Sequence, residues 1–138
     1  MKQDSCCRGI IYSSELIHDT DAVLELFRAS GWQEDADFNM ISSAFVTGLY
    51  CSAWHEDKLI GLARCLSDGA YSAIIDVVVV HPDYRGLDIG FKLVRSLIDS
   101  IGVVKYISVS PNGMSVSGFY EKLGFRPVKT GGLLQIVR

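Results

Sequence analysis

Residues 74–90 read Ile-Ile-Asp-Val-Val-Val-Val-His-Pro-Asp-Tyr-Arg-Gly-Leu-Asp-Ile-Gly. A run of β-branched residues ends at a proline turn and passes through Arg85 and two glycines into a helical pattern. A strand that opens into a helix this way leaves the first main-chain N–H groups without intrahelical partners, beside the positive end of the helix dipole. Those groups belong to Gly86, Leu87, Asp88, Ile89, Gly90 and Phe91. Glycine at 86 and 90 lets an anion approach the backbone closely, and Arg85 adds a fixed positive charge. The arrangement suits a diphosphate. The plainer reading is a tight strand-to-helix turn with an exposed arginine. Neither G-x-x-x-x-G-K-[ST] nor G-x-G-x-x-G occurs in the chain.

Three other side chains could do chemistry. Asp76 sits inside the apolar run, where a carboxylate is costly unless paired or hydrogen-bonded. Two-residue alternation puts it on one strand face with Val78 and Val80. It is a candidate base or water-orienting group, and equally an aspartate satisfied by backbone donors or Tyr71. Tyr120 lies on a short helical stripe; periodicity alone makes it a half-buried aromatic. Trp32, followed by Glu34, Asp35 and Asp37, could receive an ammonium or an arylalkyl chain, although a solvated acidic loop with one packed indole explains it as well. His81 opens the turn and is expected at the solvent; His18 and His55 read as loop or strand-end residues.

The segment Arg85–Gly90 resembles motif A of the GCN5-related N-acetyltransferases (GNAT), Arg/Gln-x-x-Gly-x-Gly/Ala after a strand. Arg85, Ile89 and Gly90 match; Asp88 stands where the family usually has glycine. Gly118-Phe119-Tyr120-Glu121-Lys122-Leu123-Gly124-Phe125 is similar to motif B. The two motifs, in family order, cover with their flanking elements roughly residues 56–138. The resemblance implies acetyl-CoA as cosubstrate, no metal, and direct transfer to an amine. It implies that Tyr120 protonates the departing thiolate, a task suited to a phenol with a pKa of about 10. It also implies that the strand before the turn (Val78, Val79, Val80) offers main-chain groups to the pantetheine arm, those of Val78 and Val80 in particular, with a free N–H available to an oxyanion. Asn112 resembles a donor-contacting asparagine, one residue further from Tyr120 than is usual. Asp88 would repel a diphosphate unless its side chain turns outward, and aspartate tolerates the left-handed backbone that a glycine position requires. Ser30-Gly31-Trp32 and residues 63–69 resemble members related to aralkylamine and plastid-type acetyltransferases.

These residues need a scaffold, and the pattern supplies one. Residues 8–13 read as a strand. Asp19 or Thr20 caps a helix with Val23, Leu24, Leu26 and Phe27 inward, stopped by Gly31. A second helix is expected over 38–47, with Met40, Ile41, Ala44 and Phe45 inward. Residues 50–55 and 58–66 form a hairpin about Glu56-Asp57, and 72–80 is the next strand. The stripe Ile89, Leu93, Val94, Leu97, Ile98, Ile101 makes a helix ended by Gly102. A strand over 103–109, a helix over 115–123 with Gly124 as its C-cap, and strands over 126–130 and 133–137 follow. The class is α+β: one domain over 1–138, with a mostly antiparallel twisted sheet of six to seven strands and about four helices, the acyl-CoA N-acyltransferase fold.

With 138 residues, 49 % hydrophobic and 21 % charged, the chain fits one globular domain. A net charge of −3 argues against nucleic acid as the main partner. No apolar segment is long enough to span a membrane, and the N-terminus lacks a signal-peptide core. Cys6, Cys7, Cys51 and Cys65 show no metal-ligand spacing, and reduced thiols in a cytoplasmic protein are expected. The expected function is acetyl-CoA-dependent N-acetylation of a primary amine, a small arylalkylamine or similar metabolite, with Asp76 or a water chain as base, Tyr120 as acid and Trp32 at the acceptor. A homodimer is compatible with it. The rivals are a non-catalytic CoA-binding regulatory module, a different nucleotide-binding protein, and an acetyltransferase acting on a protein amino group.

Overall fold

Alternating and continuous apolar runs settle into a seven-stranded sheet of order β1-β2-β3-β4-β5-β7-β6. The computed structural model describes residues 9–109, 117–128 and 134–137; Cys6, Cys7, Asn112 and the expected start of the last helix lie outside them. The strands are β1 (Ile10–Ser13), β2 (Leu49–His55), β3 (Lys58–Ser67), β4 (Ser72–Val80), β5 (Tyr106–Val109), β6 (Arg126–Pro127) and β7 (Leu134–Val137). The helices are α1 (Thr20–Ala29), α2 (Phe38–Ala44), α3 (Ile89–Ile101) and α4 (Ser117–Lys122). Every pairing is antiparallel except β4 with β5, which run parallel over Ser72–Ile75 and Tyr106–Val109 alone.

Two cores flank the sheet. α3 and α4 bury Ile89, Leu93, Leu97 and Phe125 against Ile60, Ile75 and Ile107 on one face. α1 and α2 bury Val23, Leu26, Phe27 and Ile41 against Leu62, Val77 and Val79 on the other. The apolar stripe of α3 is buried as its spacing requires. Gly61 lets that helix lie close on β3: a Cβ there would stand 2.9 Å from Leu93 Cδ1 and 3.1 Å from Ile89 Cγ2.

Local chemistry sets the boundaries. Asp19 caps α1, its carboxylate accepting the Ala22 N–H at 3.1 Å, and Asp37 caps α2 by accepting the Met40 N–H at 2.8 Å. α2 ends at Ala44, short of the expected 47, and Met40 is exposed rather than inward, because so short a helix buries only Ile41. The expected strand over 103–109 begins at Tyr106. The N–H groups of Lys105 and Tyr106 both donate to the Tyr71 carbonyl, which fixes where pairing with β4 can start and leaves Val103 exposed. α4 closes with Phe125 N–H donating to Tyr120 O and Gly124 N–H to Glu121 O. With Gly124 at φ +101°, this is a Schellman cap, and it folds Phe125 into the core.

Candidate active site

β5 pairs with β4 no further than Ile75, so β4 runs on to Val80 with one side unpartnered by any described strand. The orientation of its main chain follows from one hydrogen bond: His81 N–H donates to Ile60 O at 2.8 Å, across to β3. Alternation then points the N–H and C=O of Val79 and Val77 toward β3, and those of Val78 and Val80 toward the open side. Arg85 Nε–H donates to Val80 O at 3.3 Å, placing the guanidinium stem along that edge. A cleft of about 490 Å³ occupies the gap.

The cleft continues to the start of α3. Asp88 adopts φ 63°, ψ 15° as the N-cap and makes no capping hydrogen bond with its side chain. Aspartate therefore carries the left-handed position where a glycine would be usual, and the residue is exposed. Lys92 N–H is bonded to Asp88 O at 3.1 Å, so the N–H groups of Ile89, Gly90 and Phe91 precede the first turn's bonds. Gly86 has φ +82° and open space where a Cβ would stand. At Gly90 a Cβ would meet Val80 Cγ2 at 3.5 Å and the Phe119 ring at 3.7 Å, ordinary contact distances. Protein packing does not demand glycine at 90. Leu87 packs against the α3-side core instead of lining the cleft.

Tyr120 and Asp76 both line this cleft. Tyr120 is buried, its ring edge-on to Phe119 and Phe125 at centroid distances of 5.0 and 5.6 Å. Burial pushes its phenol up to about 12. Asp76 departs from expectation. Arg64 pairs with Val77 and Cys65 with Ile75, so Asp76 is the extra residue of a β-bulge. The alternation breaks there: Ile75, not Asp76, shares the α3 face with Val78 and Val80. The partner of Asp76 is neither Tyr71, which sits edge-on to Tyr106, nor backbone alone, but Arg64, whose Nη1–H donates to Oδ2 at 2.9 Å. Burial raises the Asp76 carboxyl above its ordinary value, and the Arg64 charge opposes that rise.

Trp32 lines the cleft, held by its main-chain N–H donating to Phe27 O at 2.8 Å and by ring contact with Phe27. His81 is buried rather than solvent-facing; its Nδ1 accepts the Asp83 N–H at 3.1 Å. Burial first, and then Lys58, lower its pKa. The sequence reading missed Tyr84 and Phe119, both of which line the cleft. Tyr84 shares a 2.7 Å hydrogen bond with His55 Nδ1, and its place directly before Arg85 was the available signal. Phe119 sits edge-on to Phe91 at 6.2 Å, and its position beside Tyr120 in the same short helix was the corresponding clue. Among the described residues no group of three or more His, Cys, Asp or Glu could hold a metal ion.

Known proteins resemble this chain in sequence and in fold. The chain is 33 % identical over 85 residues to the uncharacterized N-acetyltransferase ycf52 of Pyropia yezoensis, covering 61 % of this chain and 49 % of that protein. It is 43 % identical over 75 residues to the chloroplastic GCN5-related N-acetyltransferase 2 of Arabidopsis thaliana, covering 51 % of this chain and 28 % of that protein. The chain thus spans half or less of the length of these relatives. The fold is that of the PaiA N-acetyltransferase of Thermoplasma acidophilum, solved in complex with coenzyme A: TM-score 0.73, 17 % identity, 94 % of this chain and 99 % of that one. A family model described as an acetyltransferase (GNAT) domain matches residues 47–127, more than half of the chain, and by that match the chain belongs to the GNAT acetyltransferases.

Proposed function

We propose that the protein is an acetyl-CoA-dependent N-acetyltransferase that passes the acetyl group directly to a primary amine, with a small arylalkylamine as the acceptor class. The observation that carries this reading is the continuity of the cleft. The open main chain of Val78 and Val80 leads without a break to the unpaired N–H groups of Ile89, Gly90 and Phe91, with Asp76 and Tyr120 lining the same space.

The residues present fit the cosubstrate. The α3 start, Gly86 and Arg85 would hold its diphosphate. The β4 edge would take the pantetheine amides as an added strand does, and one of its N–H groups would steady an oxyanion. Bound there, the cosubstrate supplies the activated acyl group. An alkylamine with a pKa of roughly 10 arrives protonated, and Asp76, directly or through water, takes that proton. Tyr120 O–H donates to the departing sulfur. Trp32 supplies an aromatic wall for the acceptor. Asn112, outside the described residues, keeps its proposed donor contact. Action in the cytoplasm is part of the proposal. The chloroplastic Arabidopsis relative makes the plastid the alternative, and a fluorescent fusion of the full-length protein distinguishes them.

Calorimetry with CoA and acetyl-CoA, followed by a panel of amines and peptides with thiol release as readout, tests the reading. Binding of both, with turnover of arylalkylamines above other acceptors, is expected. Turnover of peptides alone moves the acceptor to a protein amino group. Tight CoA binding with no turnover of any amine points to the regulatory module, and absence of binding overturns the assignment.

A further inference from the structure

The reading of Asp76 as the base leaves a question of geometry, because a bulge residue has no cross-strand neighbour to hold its side chain. Arg64 holds it. This residue is 8 % exposed and its side chain is fixed at three points. Nη1–H donates to Asp76 Oδ2 at 2.9 Å, Nη2–H donates to Ala44 O at 3.2 Å, and the guanidinium lies 4.8 Å from the Phe45 ring centroid. Ala44 is the last residue of α2 and Phe45 its cap. Arg64 Nε is buried with no hydrogen-bond partner among the described residues.

That combination is expensive on the arginine's side of the pair, which is buried, whereas the Asp76 side chain is 32 % exposed toward the cleft. A buried charge with an unsatisfied N–H is often replaced by an apolar residue of like volume without loss of stability, and the Phe45 face would accept one. We infer that Arg64 is a positioning residue for acetyl transfer: it fixes the Asp76 carboxylate at the bulge, facing the cleft, and ties it to the end of α2. This rests on Asp76 acting as the base. The other titratable groups about the pair are Tyr50 on β2 and Cys65 on β3. Burial raises both, Cys65 to about 11, so both are neutral at pH 7. Arg64 is then the one charged side chain acting on Asp76 among the described residues. It favours the ionised carboxylate against the burial that disfavours it, and α2, on the acceptor side of the sheet, shares the same guanidinium.

The test is the pH profile of kcat/KM with acetyl-CoA and phenethylamine, in the wild type and in Asp76→Asn, Arg64→Met and Arg64→Lys. CoA binding and melting serve as checks on folding. The carboxyl resonance of Asp76, followed by carbon NMR against pH, reports the same titration without turnover. In the wild type activity falls on the acid side as Asp76 takes a proton, and Asp76→Asn removes that limb. In Arg64→Met the limb and the resonance move up by about 1 pH unit, the low end for such a pair because the Asp76 side chain is partly exposed, with CoA affinity unchanged. In Arg64→Lys they move less, in the same direction, because an ammonium keeps the charge but not the fork. A structural role alone would lower the melting temperature and leave the limb in place. A limb that Asp76→Asn removes but neither Arg64 variant shifts overturns this inference and leaves the base reading standing. A limb that survives Asp76→Asn overturns both. Should Arg64→Met not fold, Arg64→Lys decides by the same criterion.

Discussion

Tyr120 belongs to the core on the α3 side and Asp76 to a polar pair on the α2 side, and they meet only where β4 and β5 part. Their environments push both groups the same way but with different consequences. Burial takes the Tyr120 phenol to about 12, whereas an alkyl thiol has a pKa of about 8.5. Full proton transfer from such a phenol to a thiolate runs uphill by about 5 kcal/mol at 1.36 kcal/mol per pH unit. In the proposed reaction Tyr120 therefore acts chiefly as a hydrogen-bond donor to the sulfur as its charge grows. A hydrogen bond to a charged group is worth about 1.5–3 kcal/mol, so Tyr120→Phe should lower kcat by roughly 10- to 100-fold with CoA affinity unchanged. Steady-state kinetics with calorimetry on the same variant checks this; a loss of 10⁴-fold, the upper range for general acids, would restore full transfer. The two glycines of the turn separate in the same manner. Gly86→Ala should cost about 1–2 kcal/mol of stability because φ is +82°. Gly90→Ala should be neutral or stabilising by up to about 1 kcal/mol, yet should bind CoA more weakly, since its methyl would stand in the ligand's space. Denaturant melts beside calorimetry tell the two apart.

β4 and α3 are the elements that make the site, and they differ in what sequence could reveal. The α3 stripe is local: six apolar residues at helical spacing name the buried face without knowledge of what covers it. The same holds for the caps at Asp19 and Asp37 and for the Gly124 stop. The bulge at Asp76 is not local. It is set by the register of β4 against β3, and alternation along one strand put Asp76 on a face that it does not share. Arg64 escaped notice for the same reason, being twelve residues away in sequence and joined to Asp76 only by pairing. The start of β5 was hidden too, because Val103 and Val104 have strand-like side chains while the Tyr71 carbonyl decides where pairing begins. Packing of α3 on β3 gives an element-scale prediction. Gly61→Ala would drive a methyl into Leu93 and Ile89, both fully buried or nearly so. Overpacking of this kind costs about 1–3 kcal/mol. Because Ile89 opens α3, the displaced helix start should also weaken CoA binding, although residue 61 is not among the cleft-lining residues. Unchanged affinity in a folded Gly61→Ala protein would mean that the α3 start is not what grips the ligand.

Across the whole molecule, the proposed site draws on β4, the turn after it, α3, α4 and the loop after α1, elements that meet through two separate cores. A ligand laid along the cleft would touch the α3-side helices and the bulge at once, adding contacts that the unfolded chain cannot offer. Binding to the folded state alone stabilises by about 2.7 kcal/mol at a hundredfold excess over Kd. For a domain of this size that corresponds to a rise in melting temperature on the order of 10 °C. CoA and acetyl-CoA should both produce it, because the diphosphate and pantetheine contacts do not involve the acetyl group. ATP and NAD should produce little, since neither carries an arm that can add to the open edge of β4. Gly90→Ala should blunt the rise without lowering the melting temperature of the free protein, which separates lost affinity from lost stability. An equal rise with ATP would assign the α3 start to nucleotides in general and remove the reason for reading the β4 edge as a pantetheine track.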